Sequence, residues 1–227
     1  MINNNNIKYK FYNLYPIWKY LDIFMFLSIL LLFICYFCAL FLGHIGSFCD
    51  ISDLGINMPE RVLFRFDLSI MGSILMLISL PIHDVISIDI YKYKILKKKK
   101  KKFLSNIAYK SQIISGIGII FIGACNPKES LTFHLFAAIC AFGGSFITQF
   151  IYNILLYYQD NRKLYMIRCI ITSLFFICFI LFILGEIDII PEPFEHILEW
   201  ILMFNLVLWY SLFRYDFNKF YITLTTA

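Results

Sequence analysis

The residues able to do chemistry in this chain are ionisable groups set inside or against long apolar stretches. Asp67 stands five residues into one such stretch, about 7.5 Å deep at 1.5 Å per residue, behind Arg61 and Arg65. His134 opens a second stretch. Glu195, His196 and Glu199 open a third, and the i, i+4 spacing of Glu195 and Glu199 puts both on one helix face. His44 closes a fourth. Ionisable groups in hydrocarbon are expensive and point to function by default. The types present suit proton transfer by a carboxyl and an imidazole, and capture of an anion by guanidinium. Plainer readings stand beside these. Glu195 complements a helix dipole, His44 and His196 rest at an interface, and Arg65 snorkels outward. Three of the four histidines fall in one half of the expected bilayer. A metal held by His44, His134 and His196 is chemically conceivable, but they lie on three stretches that spacing cannot bring together. No metal or cofactor is therefore expected. There is no G-x-S-x-G elbow, no H-E-x-x-H and no G-x-x-x-x-G-K loop.

The elements that must hold these groups follow from composition. Of 227 residues, 60% are hydrophobic and 15% charged, against about 45–50% and about 25% in soluble domains. Such a chain cannot cover itself with polar atoms, so the bilayer is its solvent. Six apolar stretches can be read, at 21–43, 62–88, 107–125, 131–158, 166–185 and 194–213. At about 20 residues per crossing they use roughly 120 residues and leave only tails and short loops. None alternates with a two-residue period, and lipid demands internally paired backbone, so the fold expected is all-α: a bundle of six transmembrane helices.

Placing tails 1–20 and 215–227 and the even loops on one side gathers 17 of the 20 basic residues there. Only Arg61, Arg65 and Lys128 lie opposite, among Asp50, Asp53, Glu60, Glu129, Glu186, Asp188, Glu192 and Glu195. The positive-inside rule makes the basic side cytoplasmic. The first span reads as a retained helix rather than a cleavable signal. The transmembrane domain is then 21–214, with a lysine-rich cytoplasmic loop at 89–106. Its run Lys97–Lys102 reads either as compositional bias, like Asn3–Asn6, or as a patch for anionic lipid. Pro81 is expected to kink or end the second helix, with His83 and Asp84 as an interfacial cap. Ala137, Ala141, Ser145, Gln149 and Asn153 recur every four residues and form a small-to-polar stripe for close packing, or a polar seam descending from His134. Ser111, Ser115, Gly116 and Gly118 suggest a matching contact on the third span. Cys35, Cys38, Cys140, Cys169 and Cys178 serve as small apolar residues. Cys49 and Cys125 fall on the outer side, either as a disulfide or as two free thiols.

Several short motifs carry a family resemblance. Met58-Pro-Glu-Arg-Val-Leu-Phe-Arg-Phe66 is similar to the P-x-R-x-x-x-R-F start of the second span in the FRAG branch of the Frag/DRAM/Sfk six-span superfamily. Ile197-Leu-Glu-Trp200 resembles its I-L-E-aromatic motif. Asp216-Phe-Asn-Lys219 with Tyr221-Ile-Thr223 resembles its D-F-x-x-K tail, and His134 matches a histidine opening the fourth span. Ile51-Ser-Asp-Leu-Gly55 with Pro59-Glu60 looks more like the DRAM autophagy modulators of the same superfamily. The resemblance covers most of the chain in span order and about 30 residues in motifs. It implies an endomembrane protein of the Golgi or endoplasmic reticulum, or alternatively of lysosome or plasma membrane. It implies support for fatty-acid exchange on glycosylphosphatidylinositol (GPI) anchors, in particular reacylation of the lyso-form. The expected ligands are membrane lipids, with membrane-protein partners and no nucleic acid. A lipid head group would meet Arg61 or Arg65, oriented by Asp67, His134 and Glu199. Without a visible nucleophile, an accessory role is favoured over acyltransferase catalysis. The alternative is a DRAM-like regulator or scaffold acting through the lysine loop.

Overall fold

The computed structural model describes residues 14–46, 48–92, 98–157, 161–187 and 189–216. Among them the only regular structure is helical. The helices are α1 (Leu14–Phe41), α2 (Glu60–Lys92), α3 (Lys98–Ala124), α4 (Leu131–Ala138), α5 (Gly144–Leu156), α6 (Arg162–Gly185) and α7 (Glu192–Ser211). A π turn at Ile139–Gly143 joins α4 to α5, so seven helices make six rods. Five rods are long and apolar enough to cross a membrane, and α1 contributes the shorter apolar stretch Met25–Phe41. The chain is an all-α polytopic membrane protein.

The rods outrun their apolar cores. At 1.5 Å per residue the 33 residues of α2 are about 50 Å long, against about 30 Å of hydrocarbon. Helix extends beyond the apolar stretches in three places. Helix α1 starts at Leu14, inside the supposed tail 1–20. Pro81 does not end α2, which continues to Lys92; one missing amide is tolerated where neighbouring helices support the backbone. The supposed loop 89–106 is mostly helix, since lysine is a good helix former and hydropathy reports only the greasy part of a rod. Lys98–Lys102 form the start of α3. Lys97, Asn3–Asn6 and the tail motif beyond Asp216 lie outside the described residues.

Packing follows the small residues. Gly72 of α2 and Gly116 of α3 meet so closely that a Cβ on either would overlap the other's carbonyl oxygen. Gly118 sits equally close to the backbone of Ala141. Ser115 bonds both the Ala141 carbonyl at 2.7 Å and the Ser145 hydroxyl at 2.6 Å. In a straight α-helix a four-residue stripe drifts about 40° per step. The wider π turn takes back part of that drift, and Ala137, Ala141, Ser145, Gln149 and Asn153 all stay buried. Among the five long spans, α7 is the most deeply buried and α6 the least. Bulky rings line α7, including Trp200, Trp209 and Tyr210, with Phe213 just past its end.

Candidate functional site

The carboxylate-rich end of the bundle is built on the first turns of α7. His196, Glu199 and Trp200 have the i, i+3, i+4 spacing of one helix face. Each grips the segment 49–52 that leads into the 3₁₀ turn Ser52–Gly55. His196 Nδ1 meets Asp50 Oδ1 at 2.7 Å, and the Trp200 indole N–H donates to the Cys49 carbonyl at 3.0 Å. Glu199 accepts the N–H of Ser52 at 3.4 Å and faces that of Ile51. The carboxylate thus caps the start of the 3₁₀ turn from another helix.

Further groups gather around Asp50. His134 is buried at the start of α4 and its Nδ1 lies 2.8 Å from the Cys125 carbonyl. A carbonyl only accepts, so Nδ1 carries the proton, and a neutral ring keeps its lone pair on Nε2. Asp50 lies within electrostatic range of His134, Glu199 and Glu186. Glu186, just past α6, has its carboxyl pushed up to about 7, by burial first and then by Glu195 and Asp50. The Glu195 side chain lies against Gly185, where a Cβ would stand 3.0 Å from its carboxyl carbon.

The five expected site residues therefore fall into three groups. His134 and Glu199 share the surroundings of Asp50, though each is bonded to loop backbone rather than to the other. Arg61 and Arg65 sit on the rim with Glu129, at 4.0 and 2.8 Å. Glu129 is itself fixed by Asn126, whose side-chain oxygen accepts the Glu129 N–H at 2.8 Å. Asp67 is turned toward α1, where its Oδ1 accepts the Ser28 hydroxyl at 2.5 Å. A Cys49–Cys125 disulfide is not formed: both thiols are free. Cys49 is buried beneath α7, its thiol pushed up to about 12, by burial first and then by Asp53, Asp50 and Glu199. Among the described residues no group of three or more His, Cys, Asp or Glu side chains is arranged to hold a metal ion.

The family model for the Frag1/DRAM/Sfk1/Cwh43P N-terminal domain matches residues 17–220. The chain belongs to that family. No curated protein and no solved structure is significantly similar to it.

This Frag1/DRAM/Sfk1/Cwh43P-family chain also carries a polar cluster at its lysine-rich end. Arg168 of α6 is fully buried and pairs with Asp216, donates to the Leu212 carbonyl at 3.2 Å and lies over the Phe213 ring. Asn153 donates to Thr172 at 2.8 Å and Thr172 to Gln149 at 3.2 Å. Sequence reading used Arg168 only to orient the chain and Asp216 only as a motif letter. An arginine six residues inside an apolar helix was the available signal. Asp50 and Trp200 were likewise not singled out as site residues, although the spacing of His196, Glu199 and Trp200 announced a shared face.

Proposed function

We propose that this membrane protein supports GPI-anchor lipid remodelling by holding the lipid at its carboxylate-rich, lumenal end. The observation that carries the reading is that Asp50 of the first loop, joined to His196, lies within electrostatic range of both His134 and Glu199, from two rods at one end of the bundle. Family membership supports it, as does the basic charge of the opposite end. On the rim, a lipid phosphate competes with Glu129 for Arg61 and Arg65 through charge-assisted bonds. The acidic groups behind them suit the amine and hydroxyls of a glycan head group.

The role is accessory rather than that of a covalent catalyst. Nucleophilic catalysis needs an activated hydroxyl or thiol beside a base. The Cys49 thiol is held protonated and its neighbours are carboxyls. His134 Nε2 keeps a lone pair that accepts from a lipid hydroxyl and positions it for a partner acyltransferase.

The test is mass spectrometry of GPI-anchor lipids from cells lacking the protein, complemented with Arg65→Ala, His134→Ala or Glu199→Gln. Lyso-GPI accumulation, or a changed acyl chain, restored by wild type and not by the variants, is the expected result. Normal chains in all three variants would sink the reading. A second reading has one observation in its favour: Lys99, Lys100 and Lys102 project from the exposed start of α3. That is a fixed basic patch for a regulator acting on anionic lipid or a partner protein. An unchanged GPI profile, with damage on neutralising these lysines, selects it.

A further inference from the structure

The seam between α1 and α2 holds two carboxyl groups outside the gathering around Asp50. Glu60 and Asp67 are seven residues apart, two turns of α2, and share the face that α1 covers. They are 1% and 2% exposed. Glu60 Oε1 meets His44 Nδ1 at 2.6 Å, and Asp67 Oδ1 takes the Ser28 hydroxyl at 2.5 Å. The second oxygen of each, Glu60 Oε2 and Asp67 Oδ2, is buried with no hydrogen-bond partner among the described residues. Cys35, buried on α1, lies within electrostatic range of both carboxyls. Ser28, Leu32, Cys35 and Ala39 are all buried, at the spacing of one helix face. Local geometry fixes the upper end. Gly43 takes the left-handed conformation (φ 71°), and the His44 N–H returns to the Ala39 carbonyl at 2.9 Å. This helix-ending turn delivers His44 to Glu60.

A carboxylate oxygen cannot stay charged and unsolvated inside a bilayer. The guanidinium groups of α2, Arg61 and Arg65, are drawn to Glu129. Among the α1 residues whose side chains are described, the seam is offered Ser28, Cys35 and Cys38, none of them a cation. Helix α3 approaches α2 through Gly116 and Gly123. The 3₁₀ turn brings an acid, Asp53, and α7 meets α1 through the rings of Trp200 and Phe204. Arg61 and Arg65 are committed to Glu129; of the other groups named here only His44 can carry positive charge, and it stands at Glu60. What remains to neutralise Asp67 is a proton.

We propose that Asp67 is an exchangeable proton-binding site inside the membrane, loaded from the carboxylate-rich surface through His44 and Glu60. The His44 side chain is 31% exposed and takes a proton from water. Its Nδ1–H bond breaks as the Glu60 Oε1–H bond forms. The proton then crosses the two turns to Asp67 through water entering the seam, and Glu60 returns to its ionised form. Protonated Asp67 keeps α1 seated against α2. Ionised Asp67 draws water into the seam and loosens it, which makes the docking of α1 proton-linked.

Dicyclohexylcarbodiimide, which adds across protonated carboxyls in apolar surroundings, tests this on the full chain in lipid nanodiscs. Peptide mass spectrometry should find Asp67 modified at pH 6 and at least tenfold less at pH 9, with no adduct in Asp67→Asn. After a jump from pH 9 to pH 6, labelling should recover at least tenfold more slowly in Glu60→Gln and His44→Ala than in wild type. An unmodified Asp67 at pH 6, equal labelling at both pH values, or unchanged recovery in both variants overturns the proposal. So does protection by sodium at constant pH, which would assign a small cation instead. The wild-type profile and Asp67→Asn decide the site even where another variant fails to fold. The experiment contains no GPI lipid, so its failure and that of the remodelling reading are separable.

Discussion

At the scale of single residues, the carboxylate-rich end is dominated by acids kept close together. Glu186 shows the consequence. Its folded pKa of about 7 stands above the 4.5 of an ordinary glutamate, so the folded state binds the proton more tightly. The stabilisation this gives is fully present below about 4.5 and is lost as pH rises through 7. Glu186→Gln cannot ionise and should escape that loss. Its melting temperature is expected to match wild type at pH 4 and exceed it at pH 8, as thermal unfolding in detergent would read. A gap that shrinks with rising pH would refute the assignment. Cys49 gives a second reading at this scale. A buried thiol held near 12 among acids should resist maleimide at pH 7.5 in the folded protein, while half-buried Cys125 reacts faster. Comparable rates, or a mass two units low from a disulfide, would contradict the structure.

At the scale of helices, close approach and charge pairing hold the rods together. Gly116→Val would push a branched side chain into the Gly72 carbonyl and separate α2 from α3. Overpacking of this kind costs about 1–3 kcal/mol, and a lowered unfolding midpoint would register it. Asp216→Asn should cost more, about 3–5 kcal/mol, because it leaves the buried Arg168 guanidinium without its carboxylate. Arg168→Met combined with Asp216→Leu should recover much of that loss, since an apolar pair needs no desolvation. If the double variant is as unstable as the single one, shape rather than charge holds α6 to α7. These elements were legible in the sequence to different depths. Hydropathy finds the centre of each rod because hydrocarbon must be crossed by about 20 apolar residues. It does not see polar helical ends, which is why Leu14, Lys92 and Lys98 fell outside the expected spans. It also gave no hint of the π turn, which depends on how the stripe from Ala137 to Asn153 meets α3.

At the scale of the whole molecule, the six-rod architecture and family were readable because lipid leaves few folds open. The site was readable only in its ingredients. His134 and Glu199 were legible as ionisable groups at the starts of apolar stretches, but their common neighbour Asp50 lies 84 residues before one and 149 before the other. Glu129 stands 64 residues from the Arg65 it holds. Contacts made across such distances in sequence leave no local period to read. The buried pair at the opposite end has the same character, with a consequence for how the protein is made. Asp216 follows Arg168 by 48 residues, so α6 leaves the ribosome and meets the translocon while its counter-charge is still unsynthesised. Until α7 arrives, the half-built chain shows the membrane an unmatched arginine and the polar edge of Asn153, Thr172 and Gln149. Nascent chains stalled before α7 should therefore be retained by membrane chaperones and degraded, while chains that reach Asp216 close the bundle and leave quality control behind.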